Sequence, residues 1–134
     1  MKNLRFQRRT LTFKQFWHEL WTIMRSRRRI HAVMKEESIP LPFRERLMLA
    51  VTSVNSCRYC SYAHARNALT AGIAPEEIKA LCNGIFDNCP SQEMPALLYA
   101  QHWAESSGQP DSKARQEMID IYGAVITSDI ELTL

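Results

Sequence analysis

The sequence predicts an all-α protein, a bundle of about five to seven helices. Glycine occurs only four times in 134 residues, and apolar residues recur at spacings of three and four along most of the chain. Runs of β-branched residues that alternate with polar ones, which would indicate strands, are few. The length indicates one domain, residues 1–134, in which residues 1–38 form a basic N-terminal helical extension.

The first helix is predicted to begin after Thr12, because Thr12 and Gln15 form a capping box. Six large apolar residues then lie on one face of this helix: Phe13, Phe16, Trp17, Leu20, Trp21 and Met24. We interpret this face as core or subunit interface rather than a cofactor site. An arginine cluster at 25–29 follows near the C-terminal end, where positive charge suits the helix dipole.

A further helical piece is predicted over about 28–37. The segment Ile39-Pro40-Leu41-Pro42 then interrupts the chain, because each proline disfavours helix in the residue before it. The next helix is predicted over Phe43–Val54, with Pro42 as its first residue and Glu45 in its first turn. Ser56 is a plausible N-cap for the following helix, which Gly72 ends.

The C-terminal half continues the helical pattern. Pro75 opens a short helix, a longer one is expected at roughly 91–106, and Asp111 caps the last helix. The buried stripe of that last helix is predicted to consist of Ala114, Met118, Ile121, Tyr122 and Val125.

Charge is unevenly distributed. Residues 1–29 carry nine Lys and Arg residues and one acid, whereas the remainder carries eight basic and thirteen acidic residues. A basic arm and an acidic body can attract each other, between subunits or within one. The arginine cluster lacks the motif of a nucleic-acid footprint, so we expect no nucleic-acid partner. Neither a secretory signal nor a membrane span is evident, and we expect a cytoplasmic protein without a membrane partner.

Four residues indicate the chemistry: Glu45, Cys57, Cys60 and His64. Both cysteines are expected at the positive end of a helix, which stabilises a thiolate. His64 lies one turn beyond Cys60 on the same face, and Glu45 comes from the preceding helix to orient the imidazole. The pattern predicts that His64 deprotonates Cys60, that the thiolate attacks a peroxide, and that Cys57 then closes a disulfide.

Other interpretations remain open at this point. Cys57 and Cys60 can be half of a zinc site completed by His64 and by Cys82 or Cys89, or two inert buried thiols. Attachment of haem is excluded, because that needs His directly after the second cysteine. Two further classes are a non-enzymatic redox switch or interaction module and a protein disulfide reductase. We expect Cys82 and Cys89 to be structural.

The string Glu45-x11-Cys57-x2-Cys60-x3-His64, followed by an Ala-rich helix and Gly72-Ile73, carries a resemblance. Over about residues 40–84 the chain resembles the alkylhydroperoxidase-D-like branch of the carboxymuconolactone decarboxylase family.

The resemblance implies an all-α fold, a trimer or hexamer, and peroxidase activity of an antioxidant kind. It implies that Cys60 is the peroxidatic residue, Cys57 the resolving one, and Glu45 and His64 a proton relay. A hydroperoxide would be the substrate and a dithiol, small molecule or protein, the electron donor, with no cofactor or metal. Tyr59 stands where the best-known peroxidases of the branch carry histidine, which removes one candidate relay group. Ring-opening decarboxylation is expected of members that lack the cysteine pair.

Overall fold

The prediction of an all-α protein is confirmed. The computed structural model describes residues 12–35 and 38–134, apart from the side chain of Met34, and these residues form six helices and no strand. The helices are α1 (Phe13–Met34), α2 (Leu41–Asn55), α3 (Arg58–Thr70), α4 (Pro75–Cys82), α5 (Met94–Glu105) and α6 (Ser112–Thr133). The parts of the N-terminal extension at 1–11, 36 and 37 lie outside the described residues.

Helix α1 begins with the predicted capping box. Thr12 N–H donates to Gln15 Oε1 (3.0 Å), and Gln15 N–H donates to Thr12 Oγ1 (3.4 Å). The helix then runs without a break to Met34, so the separate piece at about 28–37 was wrong. No proline or glycine interrupts residues 13–34, and the arginine cluster is therefore part of the same long helix.

The large apolar residues of α1 do not form core with the other residues that the structure describes. Phe13 is 78% exposed and Trp21 60%. Of the described helices, α1 packs against α6 alone. The core interpretation of this face was wrong for the single chain, and its role as a subunit interface stays a prediction.

The core is built around α2, which packs against α3, α4, α5 and α6. Because helices surround it on several sides, its buried residues do not form one stripe: Leu47, Leu49, Ala50 and Val51 are all buried. Partners from the other helices include Leu81 of α4, Leu97 of α5 and Ile130 of α6. Because α2 is packed on several sides, the side chains that it presents to α3 are held in defined positions.

Helix α2 starts earlier than the sequence predicted. Its first residue is Leu41, with Pro40 as N-cap and Pro42 in the first turn. Glu45 is consequently the fifth residue and lies in the second turn, not the first. Its carboxylate gains nothing from the unpaired N–H groups of the helix start, and it is buried against α3 instead.

The start of α3 also differs from the prediction. Ser56 is not its N-cap; it ends α2 in a left-handed conformation with φ 53°. Cys57 is the N-cap, and the helix begins at Arg58. At the other end Gly72 takes φ 85° as predicted, and its N–H donates to Leu69 O (3.1 Å). Left-handed residues at Ser56 and Gly72 therefore end the two helices that carry the site.

Helices α4 and α5 follow the prediction with one shift. Pro75 opens α4. Helix α5 begins at Met94 rather than near 91, because the chain first makes a tight turn in which Glu93 N–H donates to Pro90 O (2.9 Å).

Helix α6 is capped by Asp111, whose carboxylate accepts the N–H of Ala114 (2.8 Å), as predicted. Gly123 then breaks the helix with φ 79° and ψ 158°. The break changes the phase of the buried face, so Val125, assigned to the buried stripe, is exposed. Before the break Met118 is buried as predicted, whereas Ile121 is exposed. Ala114 and Tyr122 are partly buried and pack against the core. Beyond the break the buried residues are Thr127, Asp129 and Ile130.

Candidate active site

Cys57 and Cys60 form a disulfide at the N-terminus of α3, with their Cα atoms 5.3 Å apart. Because Cys57 is the N-cap, its Sγ takes the position that a serine or aspartate oxygen usually has, and it accepts the N–H of Cys60 (3.2 Å). Both cysteines are partly exposed. The pair is thus accessible and lies at the positive end of the helix dipole.

Glu45 and His64 meet between α2 and α3. His64 Nδ1 lies 2.8 Å from Glu45 Oε2, and the Glu45 residue is only 3% exposed. An ionised carboxylate accepts hydrogen bonds and cannot donate them, so Nδ1 carries the proton and donates. In the neutral imidazole Nε2 is then the atom that can accept a proton. This contact places two of the predicted site residues together.

The Glu45 carboxylate is buried but compensated. Its Oε1 lies 3.7 Å from Arg44 Nε, and its Oε2 accepts from His64. A buried charge is expensive unless it is paired and hydrogen-bonded. The hydrogen bond to this carboxylate fixes the orientation of the imidazole ring.

A cavity of about 290 Å³ opens beside this pair. Its lining consists of Arg44, Glu45, Met48, His64, Asn67, Leu132 and Thr133. Met48 and Asn67 lie three residues beyond Glu45 and His64, so helical spacing could have indicated them. Leu132 and Thr133 come from the end of α6, and no local signal identifies them, because only the packing of α6 brings them to the site.

The remaining two cysteines lie elsewhere and differ in character. Burial raises the pKa of the Cys82 thiol. Burial, and then the negative charge of Glu77, raise the pKa of Cys89 to about 11. Both are free thiols, and among residues 12–35 and 38–134 no group of His, Cys, Asp or Glu side chains is arranged to hold a metal ion. The described structure gives the zinc interpretation no support.

Comparison with known proteins places this chain in a family. The model of the carboxymuconolactone decarboxylase family matches residues 22–106, which is more than half of the chain and includes all four site residues. The chain belongs to the carboxymuconolactone decarboxylase family. No curated protein and no solved structure shows a significant match.

Membership of the carboxymuconolactone decarboxylase family agrees with the all-helical fold and with the cysteine pair. The matched region begins inside α1, at residue 22, and ends just after α5. The part of α1 before residue 22 and all of α6 lie outside it.

None of the helices formed by the described residues is long and apolar enough to cross a membrane. Tyr59, between the cysteines, is 82% exposed.

Proposed function

We propose that this member of the carboxymuconolactone decarboxylase family is a thiol-dependent peroxidase of the alkylhydroperoxidase-D-like branch, serving antioxidant defence. Cys60 is the peroxidatic residue and Cys57 the resolving residue. His64 and Glu45 form the proton relay. The reaction needs no metal and no bound cofactor, only a hydroperoxide and a dithiol.

The cycle has three steps. The Cys60 thiol gives its proton to His64, and the thiolate attacks the terminal oxygen of the hydroperoxide; the O–O bond breaks, Cys60 becomes a sulfenic acid, and the alkoxide takes the proton and leaves as an alcohol. The Cys57 thiol then attacks the sulfenic sulfur, which forms the disulfide and releases water. A dithiol finally reduces the disulfide by thiol–disulfide exchange and is itself oxidised.

The observation that carries this proposal is the 2.8 Å contact between His64 Nδ1 and Glu45 Oε2, one helical turn beyond the cysteine pair. A redox switch or a disulfide that only stabilises the fold needs no base held by a buried carboxylate. A peroxidase does, because the thiol must lose a proton and the departing alkoxide must gain one.

The cavity beside the relay suits a small organic substrate. Its volume is at the lower end of the range for ligand pockets, and Met48 and Leu132 supply apolar surface beside polar groups. We therefore expect organic hydroperoxides to react better than hydrogen peroxide. We also expect the protein to work in the cytoplasm as a trimer or hexamer.

The test is reduction of an organic hydroperoxide, such as cumene hydroperoxide, by pre-reduced protein with dithiol consumption followed. The wild type is compared with Cys60→Ser, Cys57→Ser and, as a matched control, Cys82→Ser. We expect turnover to disappear in Cys60→Ser and Cys57→Ser and to persist in Cys82→Ser. In Cys57→Ser a sulfenic acid should form once on Cys60 and be trapped by dimedone.

Two results would reject the proposal. If wild-type protein forms the disulfide under peroxide but does not turn over, it is a redox switch. If it reduces a protein disulfide but no hydroperoxide, it is a disulfide reductase.

A further inference from the structure

Helix α1 has two faces with opposite surroundings. Ser26, Ile30 and Val33, spaced by four and three residues, are its less exposed positions toward the C-terminal end, and Arg29 on the same side donates to Asp129 of α6 (2.7 Å). The other side carries an aromatic stripe, defined as Phe13, Phe16, Trp17, Trp21 and Met24. The contact with α6 therefore leaves the stripe facing away from the other described helices.

The aromatic stripe is far more exposed than such residues usually are. Its members are between 49% and 78% exposed. At 150–250 Å² per aromatic side chain, this corresponds to roughly 500 Å² of apolar surface. Soluble monomers seldom leave so much in one patch, and it is a large part of the roughly 800 Å² that each partner buries in a stable interface.

A matching concave surface lies between α5 and α6. This α5–α6 groove has a volume of about 510 Å³ and a mainly apolar lining that includes Pro95, Leu98, Met118 and Ile121. Leu98 and Ile121 are more than half exposed. The groove lies on the first part of α6, before the break at Gly123, whereas the buried Asp129 that binds Arg29 of the same chain lies beyond the break.

Charge favours a second copy of this chain over other possible occupants of the α5–α6 groove. Residues 13–34 carry five basic residues and one acid, whereas residues 94–133 carry six acids and two basic residues. Glu117 lines the α5–α6 groove, and Arg27 and Arg28 are exposed at the end of the aromatic stripe. Glu117 is the one acidic residue in the lining of this mainly apolar groove, and its carboxylate lies 3.9 Å from the exposed Lys113 of the same helix. A carboxylate at this position favours a basic helix over an acidic partner, so the groove and the stripe complement each other in charge as well as in polarity.

We propose that the aromatic stripe of α1 docks in the α5–α6 groove of a second copy of this chain, with Arg28 paired to Glu117 of that copy. Helix α1 is long enough to contact both α6 of its own chain and a second copy, because its 22 residues extend about 33 Å. The docking does not depend on the thiol chemistry. It gives a contact for the assembly that the family resemblance implies.

The first test is sedimentation velocity of the full chain over a range of concentrations. Trp17→Glu disrupts the stripe and Ile121→Glu disrupts the groove, while both positions are exposed within the chain, so folding is preserved. Two controls introduce the same charge outside the docking surfaces: His18→Glu on α1 and Gln116→Glu on the far side of α6 from the groove. We expect each of the first pair to raise the dissociation constant by about 30-fold or more and the controls to leave it within a few-fold.

Charge reversal tests the pairing itself. Arg28→Glu and Glu117→Arg should each weaken association, and the double variant should recover most of the loss, because opposite charges again face each other across the interface.

Three results would overturn the inference. The first is a wild type that stays monomeric throughout the concentration range. The second is dissociation by Trp17→Glu with no effect of Ile121→Glu, which means that the stripe packs elsewhere. The third is a monomer that co-sediments with phosphatidylserine vesicles through the stripe, which makes α1 a membrane-surface helix. Circular dichroism of each variant checks that the helices are retained.

Discussion

Replacing Glu45 by glutamine keeps the size of the side chain and removes its charge. Glu45 is buried, and its Oε2 accepts the Nδ1–H of His64. Glutamine can still accept this hydrogen bond, but it no longer stabilises an imidazolium. It can also turn its amide toward Nδ1 and reverse the tautomer, which would leave Nε2 protonated and unable to act as a base. We expect the disulfide to form still and the rate of peroxide turnover to fall.

The magnitude follows from the contact. A hydrogen bond to a charged group contributes about 1.5–3 kcal/mol, and each 1.36 kcal/mol of barrier changes a rate tenfold. Loss of the charge therefore costs about 10- to 150-fold in turnover. Because the carboxylate is almost completely buried and water does not replace it, we expect the upper part of this range, about 100-fold.

The assay is the initial rate of cumene hydroperoxide reduction by pre-reduced protein, with disulfide formation in a single turnover measured beside it. Glu77→Gln is the matched control, because Glu77 also forms a short and largely buried ion pair, with Arg46 at 2.6 Å, between α2 and α4. The double variant of Glu45→Gln with His64→Gln should be no slower than His64→Gln alone, because residues that act as one unit are not additive.

One result would refute the reasoning: full turnover in Glu45→Gln. An equal loss in Glu77→Gln would instead show that the effect is a general loss of stability, and the relay would have no role in it.

Three further predictions concern residues outside the site. With a pKa of about 11, only about one Cys89 thiol in a thousand is ionised at pH 8. After reduction, iodoacetamide should therefore label Cys57 and Cys60 well before Cys82 or Cys89, as measured by peptide mass spectrometry. Equal labelling of all four cysteines would contradict this prediction. Burial and the hydrogen bond donated to Glu131 raise the pKa of Tyr99 above its usual value, so above about pH 10 the unfolded chain loses this proton first and the free energy of unfolding falls as pH rises. In urea titrations Tyr99→Phe should reduce this slope by up to about 1.4 kcal/mol per pH unit, and an unchanged slope would count against the prediction. Gly123→Ala meets no atom within 4 Å of the added Cβ but must adopt φ 79°, so it should cost about 1–3 kcal/mol of unfolding free energy, and unchanged stability would show that α6 can close the break.

Local signals in the sequence were largely sufficient to predict where the helices begin and end. The capping box at Thr12, the cap at Asp111, the proline at the start of α4 and the glycine after α3 all act through the backbone of their own segment. Interactions of this kind join residues three or four positions apart, so the sequence of one short segment contains both partners.

The errors arose where two signals competed. Ser56 has a good residue type for an N-cap, yet the chain needs a left-handed residue to end α2 there, and the cap passes to Cys57. In α6 the apolar spacing suggested one stripe, but Gly123 rotates the helix beyond it and leaves Val125 exposed. Periodicity describes a straight helix and does not record a break in its axis.

The sequence by itself determined the all-α class, the cysteine pair at the start of a helix and the spacing that puts Cys60 and His64 on one face, since these depend on local geometry. Only the tertiary structure decided that Glu45 is buried 2.8 Å from His64, that the end of α6 supplies Leu132 and Thr133 to the cavity, and that no part of residues 12–35 and 38–134 covers the aromatic stripe of α1. These features depend on how α2, α3 and α6 pack, and packing joins residues that are far apart in the sequence.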